Sequence, residues 1–420
     1  MFDRDRWQEI YSTLSKNKMR TFLTAFGVFW GIFMLIIMLG SGNGLKNGVT
    51  QGFKDFATNS FFTWTQRTSM ANKGFKPGRN FNYNNSDIAA IRENVPEAEI
   101  VAPRNQLGNY GGNNNVNYGL KTGSFSIYGD YPEIFKIQSY SITEGRVMNQ
   151  FDEKEKRKIT VIGPMVKKVL FGDSISPLGK NIEINGVFFQ VVGVFKSNQS
   201  SDRGEEDAST LFVPFSTFQS AFNYGDVVGW FAITSKEGYK VSEVEDKVIA
   251  LLKERHSIHP DDRQAIGHFN LEKEFDKMNG LFTGITMLVW VVGIGTLFAG
   301  VIGVSNIMLI IIKERTNEIG IRRAIGAPPS DIIKQILLES VVLTTFAGYL
   351  GLVMGVGLLE LISSAIASSG GEGQMFTNPE VDLGIAIKAL GILIVSGALA
   401  GLIPAARALK IKPIEALRAE

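Results

Sequence analysis

Residues 313–327 form a short block that is dense in charge and lies between two long uncharged runs. Glu318 and Arg322 are four residues apart with the acidic residue first, the order that favours an ion pair on a helix surface. Arg315 and Glu318 are three residues apart and can pair in the same way. The spacing predicts a small charged helix, suited either to docking a partner or to anchoring the chain beside a membrane.

The residues after this block predict where the helix ends. Gly326 can adopt the left-handed conformation that ends many helices. Pro328 and Pro329 cannot continue the hydrogen-bond ladder of a preceding helix. A helix that begins near Arg315 is therefore predicted to end at about Gly326.

Other reactive patterns are weak or missing in the sequence. No Gly-x-x-x-x-Gly-Lys-Ser/Thr phosphate loop occurs, so we do not expect the chain to hydrolyse nucleotide alone. His256 and His259 could share a helix face, but zinc needs more ligands than this pair supplies, and we expect no metal site. The absence of cysteine excludes disulfides, thiolate metal sites and cysteine nucleophiles. These observations predict a protein that is not an enzyme and that has no catalytic residues or cofactor of its own.

Four uncharged runs are long enough, or nearly so, to cross a bilayer, which takes about 20 apolar residues. They predict an α-helical membrane protein with four transmembrane helices, assigned to residues 21–45, 278–312, 336–368 and 384–404. Lysine and arginine are concentrated before the first span and after the last, whereas the outer loop 369–383 has none. The positive residues predict that the terminal segments 1–20 and 405–420 and the loop 313–335 are cytoplasmic.

Residues 46–277 are then predicted to lie outside the membrane as a large mixed α/β domain. Residues 60–65 are rich in strand formers, and Asn185-Gly186 predicts a β-hairpin. Residues 241–255 predict an amphipathic helix. The stretch 108–117 and the acidic run 202–207 are predicted to be loops.

Glycines recur four residues apart in three of the four spans. This spacing lets transmembrane helices approach closely, and it predicts either dimerisation or tight packing within the chain. The predicted packing residues are Gly27, Gly31, Gly351, Gly355, Gly397 and Gly401.

The charged block resembles the cytoplasmic loop of MacB/FtsX-type ABC transporter permeases. The likeness continues in the first-span entry 17–28, in Glu144-Gly145-Arg146 of the outer domain and in the closing segment 404–417. It covers nearly the whole chain in order.

This resemblance implies a dimer of four-span permeases in the bacterial inner membrane, with a periplasmic outer domain. It implies that two ABC ATPase subunits bind ATP and magnesium and drive motion of that domain by mechanotransmission. The MacB proteins carry a fused ATPase domain that this sequence lacks, so the ATPase is expected on a separate polypeptide. The outer domain is expected to have porter-like ends and an inserted part near 105–225.

In this interpretation the charged block is the coupling helix that docks onto the ATPase. The residues expected to contribute are Glu314, Arg315, Glu318, Ile319, Gly320, Arg322, Arg323, Ala324 and Gly326. Further expected partners are the lipid bilayer, a second permease copy or paralogue and, in some systems, a periplasmic adaptor and an outer-membrane channel. No nucleic-acid partner is expected.

Three functions fit such a permease. Export of a substrate from the periplasmic side is the leading hypothesis, and release of lipoproteins is the second. A regulator of a cell-wall hydrolase is the third, although its relatives tend to have a smaller outer domain than residues 46–277. The sequence does not distinguish a homodimer from a heterodimer.

Overall fold

The computed structural model describes residues 18–54, 57–108, 114–138, 140–197, 202–368, 376–379 and 383–410. The described residues divide into two compact units. The helical unit lies within Met1–Gly48, Gly280–Gly371 and Met375–Glu420, and the α/β unit lies within Val49–Asn279 and Glu372–Gln374. The predicted segment before residue 18, most of the loop 369–383 and the tail after residue 410 lie outside the described residues.

The helices of the described chain are numbered in order. They are α1 (Lys18–Lys54), α2 (Asn85–Asn94), α3 (Ile134–Ile137), α4 (Gln150–Lys154), α5 (Pro164–Leu170), α6 (Asp202–Ala208), α7 (Phe215–Ala221), α8 (Val241–Arg255), α9 (Leu271–Glu314), α10 (Thr316–Ala324), α11 (Pro329–Ser368) and α12 (Leu383–Ala408). The strands are β1 (Ser60–Thr65), β2 (Tyr83–Asn84), β3 (Ala98–Gln106), β4 (Asn114–Tyr118), β5 (Lys121–Asp130), β6 (Tyr140–Gly145), β7 (Ile159–Ile162), β8 (Asn181–Ile184), β9 (Val187–Ser197), β10 (Thr210–Pro214), β11 (Val227–Val228), β12 (Trp230–Ser235) and β13 (Ile266–Asn270).

Four of these helices are long and apolar enough to cross a membrane, which confirms the predicted architecture. The candidate spans among the described residues are Thr21–Thr50, Leu271–Glu314, Pro329–Ile366 and Ile387–Ala408. Helix α11 begins before the predicted span 336–368, because Pro329 suits the first helical position, where an N–H group has no partner in the helix.

The helical unit has one apolar core to which all four long helices contribute. Ile32 and Ile36 of α1 are fully buried in it, together with Val304 of α9, Ala347 of α11 and Leu393 of α12. Since lipid is as apolar as these side chains, close packing rather than exclusion of water holds such helices together.

One large sheet of 11 strands dominates the described part of the α/β unit. Strands β3, β12, β1 and β13 lie side by side at one end and come from the two ends of the unit's sequence. At the other end, β10, β7, β9, β8, β4 and β5 follow one another, and a further pairing of β10 with β5 closes this part into a ring. Helices α2 and α8 pack against the first part through Ile91 and Val248, and Phe125 and Phe189 fill the second.

Local sequence signals fix several of these elements. Asn185 and Gly186 have φ of 46° and 85°, so the β8–β9 hairpin forms where it was predicted. Helix α8 matches the predicted range 241–255. Helix α2 begins with a capping box between Asn84 and Asp87.

Two loop predictions were wrong. The acidic run 202–207 belongs to helix α6, and Asp207 accepts hydrogen bonds from Ser197 and Tyr140 of neighbouring strands. Of the predicted loop 108–117, residues 114–117 lie in β4, which pairs with β5 and β8, and residues 109–113 lie outside the described residues. In both places contacts with distant residues override a local polar composition that is typical of loops.

Candidate coupling site

Helix α10 is a short helix between two long ones. It follows α9 after the single residue Arg315 and ends at Ala324. Gly326 has a φ of 103°, and the N–H groups of Gly326 and Ala327 donate to the carbonyls of Arg323 and Arg322. The predicted glycine-terminated helix is confirmed.

Arg315 is the centre of the polar contacts at this helix. Its Nε and Nη2 atoms donate to the two carboxylate oxygens of Glu318, both at 2.8 Å. Its Nη1 atom donates to Oε1 of Glu339 at 3.0 Å. Hydrogen bonds to Glu318 and the nearby charge of Glu339 raise the pKa of Arg315 above its ordinary value. Glu339 lies on α11 and is only 3% exposed, so Arg315 ties α10 to a buried position on a long helix.

Arg322 adds a second link between α10 and α11. Its Nη2 atom lies 3.0 Å from Oε1 of Glu318, the predicted pair four residues apart. Its Nη1 atom also donates to Oε1 of Gln335 at 3.0 Å. A small pocket between the two helices is lined by these groups and by Ile319, which is buried.

Arg323 connects α10 to the end of α12. Its Nη1 atom donates to the carbonyl of Leu409 at 2.9 Å, just beyond the end of α12. An arginine near a helix C-terminus satisfies a carbonyl that has no partner in the helix. Helix α10 is thus held by α11 and by the end of α12 as well as by its connection to α9.

The predicted site residues therefore divide into two groups. Those that face the neighbouring helices are Arg315, Glu318, Ile319, Gly320, Arg322 and Arg323. Those that are exposed are Glu314, Ala324 and Gly326.

Two isoleucines that were not among the predicted coupling residues are exposed on α10 and at its C-terminal end. Ile321 is 45% exposed and Ile325 is 81% exposed. They are four residues apart and lie on the face turned away from the buried Ile319. The helical period, read from Ile319, is the signal that identifies them. Together they form an exposed apolar patch at the C-terminal end of α10.

The predicted glycine pairs lie at contacts between helices of this chain. A methyl group added at Gly27 would lie 4.0 Å from Cα of Gly300, and one at Gly31 would lie 3.7 Å from the backbone of Leu297. These two positions bring α1 against α9.

The other two pairs lie at further helix contacts. A methyl group at Gly351 of α11 would lie 2.5 Å from the carbonyl oxygen of Phe29 on α1, and Gly355 meets Ile36 of the same helix. On α12, Gly397 meets Thr344 and Gly401 meets Ser340, both on α11. Backbones approach this closely only where Cβ is missing.

A further glycine pair on α1 was missed by the sequence analysis. A methyl group at Gly40 would lie 2.2 Å from Cδ1 of Leu359, and one at Gly44 would lie 2.9 Å from the ring of Phe376. Their spacing of four residues is the same signal that identified the other pairs.

The three histidines contact different carboxylates. Nε2 of His256 lies 2.8 Å from Asp87, and Nδ1 of His268 lies 2.5 Å from Glu245. His259 lies 3.9 Å from Asp261. Within the described ranges, no group of three or more histidine, aspartate or glutamate side chains could hold a metal ion.

Four apolar helices, a short charged helix and a large α/β unit are the architecture of a multi-span membrane protein with an extensive extramembrane domain. Residues 21–251 match the MacB-like periplasmic core domain, and residues 290–413 match the FtsX-like permease C-terminal region. The chain belongs to the MacB/FtsX-type family of ABC transporter permeases, as the sequence resemblance predicted.

Relatives of known name are similar over nearly the whole chain. The macrolide export ATP-binding/permease protein MacB of Bdellovibrio bacteriovorus is 28% identical over 413 residues, which cover 98% of this chain and 61% of the relative. The pyoverdine export ATP-binding/permease protein PvdT of Pseudomonas entomophila is 30% identical over 411 residues, which cover 96% of this chain and 58% of the relative. The chain thus spans about three fifths of the length of these relatives.

Solved structures are also similar to part of the chain. The periplasmic region of MacB from Actinobacillus actinomycetemcomitans gives a TM-score of 0.44 at 18% identity, over 55% of this chain and 97% of that one.

Proposed function

We propose that this chain is the permease component of an ATP-driven export system that takes its substrate from the periplasmic side of the bacterial inner membrane. The observation that carries this proposal is the geometry of α10, which is fixed to three long helices and presents Ile321 and Ile325 outward. The export names of the relatives favour this role over lipoprotein release or control of a cell-wall hydrolase.

In this proposal α10 docks onto an ABC ATPase carried by a partner subunit, which binds ATP and magnesium. The two exposed isoleucines offer apolar area to a partner, and a short apolar helix face suits a hydrophobic cleft. The inner contacts of Arg315, Arg322 and Arg323 make the helix rigid, so that force on its outer face reaches α9, α11 and α12.

Helix α9 provides the path for mechanotransmission. It runs without a break from Leu271 to Glu314, directly from the end of β13 to the residue before α10. Its 44 residues correspond to about 65 Å at 1.5 Å per residue. A continuous helix of this length can carry a displacement from the cytoplasm to the α/β unit.

We further propose that two permease chains pair through α9. One face of this helix is apolar and exposed at spacings of three and four residues, the pattern of a helix–helix seam. Its members are Leu281, Gly284, Leu288, Val291, Gly295, Phe298 and Ile302. A methyl group added at Gly284 or Gly295 would meet no atom within 4 Å, which leaves room for a second helix to approach.

The charge distribution supports a membrane orientation with both termini and α10 in the cytoplasm and the α/β unit in the periplasm. A periplasmic adaptor and an outer-membrane channel are proposed as further partners. The lipid bilayer surrounds the four long helices.

The docking proposal is tested with Ile321→Asp and Ile325→Asp in the full chain, expressed with its ABC ATPase. We expect the ATPase to stop copurifying and ATP-dependent transport to fall to background, because two charges replace the apolar contact. Leu120→Asp, at a fully exposed turn of the α/β unit, is the control. It should change neither the copurification of the ATPase nor ATP-dependent transport. Normal ATPase binding by the double variant would contradict the proposal. An acylated protein copurified as cargo would favour lipoprotein release.

A further inference from the structure

The 66–82 loop connects β1 to β2 and is unusually basic. It contains Arg67, Lys73, Lys76 and Arg79 and no acidic residue, which gives a formal charge of +4. The α/β unit therefore concentrates positive charge on one connection of its sheet.

The tip of this loop is a tight hairpin. Lys73 and Gly74 have φ of 44° and 85°, the paired left-handed conformations of a two-residue hairpin turn. Asn72 and Phe75 exchange backbone hydrogen bonds of 3.2 and 2.9 Å across it. The tip is thus held in one conformation.

Buried groups anchor the base of the loop. The carboxylate of Asp262, which is fully buried, accepts hydrogen bonds from the N–H of Ser69 at 2.7 Å, the hydroxyl of Ser69 at 2.8 Å and the N–H of Met70 at 3.0 Å. Arg79 donates to the carbonyl of His256 from the other side of the loop. A loop ordered in advance loses little conformational entropy when a partner binds.

The side chains that this scaffold presents are apolar and cationic. Met70 is 42% exposed and Phe75 is 46% exposed. The guanidinium of Arg79 lies 4.1 Å from the centroid of the Phe75 ring and covers one of its faces. Lys73 and Lys76 are exposed and have no ion pair among the described residues. An aromatic anchor beside uncompensated cations is typical of a recognition surface.

The 66–82 loop lies at one end of strand β1. Helix α1 leads into β1 at the Ser60 end, and α9 leaves β13 at Asn270, which is paired with Phe61 beside that same end. The 66–82 loop leaves β1 at Thr65, the opposite end. An ordered hairpin with an aromatic side chain and exposed cations suits a pocket on a protein with acidic side chains.

We propose that the 66–82 loop is the docking site for a protein that presents acidic side chains around an apolar pocket. Phe75 and Met70 fill the pocket, and Lys73 and Lys76 pair with the acidic rim. The proposal rests on the proposed function only in placing the α/β unit on the periplasmic side, and it does not depend on the contact between α10 and the ATPase.

The experiment places a photocrosslinking benzophenone amino acid at position 75 of the full chain in cells of the source bacterium. Leu120, at a second exposed turn, receives the same group as the control position. We expect a crosslinked protein at position 75 and none at position 120, with aspartate or glutamate residues beside the crosslinked site. The combined Lys73→Glu and Lys76→Glu substitutions should reduce the crosslink by at least about tenfold, since like charges then face each other. The combined Lys180→Glu and Lys240→Glu substitutions reverse the charge of two other exposed lysines and should leave the crosslink yield at position 75 unchanged.

Reversal of the partner's acidic residues to lysine should then restore the crosslink to the charge-reversed chain. Equal crosslinking at positions 75 and 120, a crosslink to lipid alone, or a yield that charge reversal does not change would each overturn the proposal. Because the loop variants leave α10 intact, ATPase binding by the same chains separates this failure from a failure of the proposed function.

Discussion

The Nζ atom of Lys273 lies 2.8 Å from Oε2 of Glu245, so the first turn of α9 is tied to α8 by an ion pair whose acidic member is buried. The same carboxylate accepts hydrogen bonds from Asn270 and contacts His268, both on β13. Asn270 also accepts a hydrogen bond from the N–H of Lys273 at 3.0 Å and so caps α9. The side chain of Glu245 on α8 thus contacts both β13 and the first turn of α9.

Glu245→Gln removes the charge at this junction while keeping the shape of the side chain. Burial favours the neutral carboxyl, but hydrogen bonds from Lys273 and Asn270 outweigh it and hold the pKa of Glu245 below its ordinary value. We expect a loss of about 1–2 kcal/mol in unfolding free energy. If α9 transmits motion, less substrate should move per ATP hydrolysed in proteoliposomes.

Glu243→Gln, at an exposed position of the same helix, is the matched control for this effect. Because the chain has no native cysteine, Glu245→Cys with Lys273→Cys can be joined by a short thiol crosslinker. The crosslink should restore transport per ATP. If Glu245→Gln moves as much substrate per ATP hydrolysed as wild type, the contacts of Glu245 only support the fold.

Arg315→Met should destabilise the helical unit strongly. It removes the ion pair between Arg315 and the buried carboxylate of Glu339, and breaking a buried ion pair in this way costs about 3–5 kcal/mol. Adding Glu339→Leu should recover the stability in a detergent unfolding assay, because no buried charge then remains. Transport should stay low in the double variant, since α10 has lost its link to α11. Lys313→Met, at an exposed neighbouring position, should behave as wild type.

Two glycines of α11 form a matched pair for testing helix packing. Gly351→Ala places a methyl group 2.5 Å from the carbonyl oxygen of Phe29 and should cost about 1–3 kcal/mol. Gly357→Ala meets no atom within 4 Å and should be neutral or stabilise the helix by up to about 1 kcal/mol. Unfolding in detergent measures both. Equal effects at the two positions would contradict the close contact between α1 and α11.

Acid should weaken the anchoring of the 66–82 loop. Burial favours neutral Asp262, but hydrogen bonds from Ser69, Met70 and Gln264 hold its pKa at about 2, below the ordinary value of 3.8. A carboxyl with a lowered pKa adds stability that is present above its unfolded pKa and is lost as the pH falls through its folded pKa. We expect Asp262→Asn to cost about 1–2 kcal/mol at pH 7, after a discount for screening by solvent near the carboxylate, and most of the difference from wild type to be lost by about pH 2.

Denaturant unfolding at several pH values checks this prediction. Asp261→Asn is the control, because its side chain is 84% exposed. A difference between Asp262→Asn and wild type that does not change from pH 7 to pH 2 would assign the loss to packing rather than to charge.

Pairing through α9 can be tested with single cysteines in the cysteine-free chain. Val291→Cys lies on the exposed seam and should form a disulfide-linked dimer under mild oxidation. Val289→Cys, which is 4% exposed within the chain's own core, should remain monomeric. Dimers at both positions, or at neither, would argue against this seam.

The elements that the sequence predicted best are those that local physics controls. Uncharged runs identified the four apolar helices, and Asn185-Gly186 identified a hairpin, because bilayer length and left-handed backbone act within a few residues. Gly326 identified the end of α10 for the same reason. The spacing of Arg315, Glu318 and Arg322 likewise predicted ion pairs within one helical turn.

Tertiary structure decided what those side chains face. Two of the charges that the sequence marked as a docking surface, Arg315 and Arg322, bind Glu339 and Gln335 of α11. The apolar Ile321 and Ile325 are exposed. Period and spacing show which residues share a helix face, but the neighbours of that face come from helices distant in the chain. Burial and charge pairing depend on those neighbours, so only the folded chain distinguishes the inner face of α10 from the outer one.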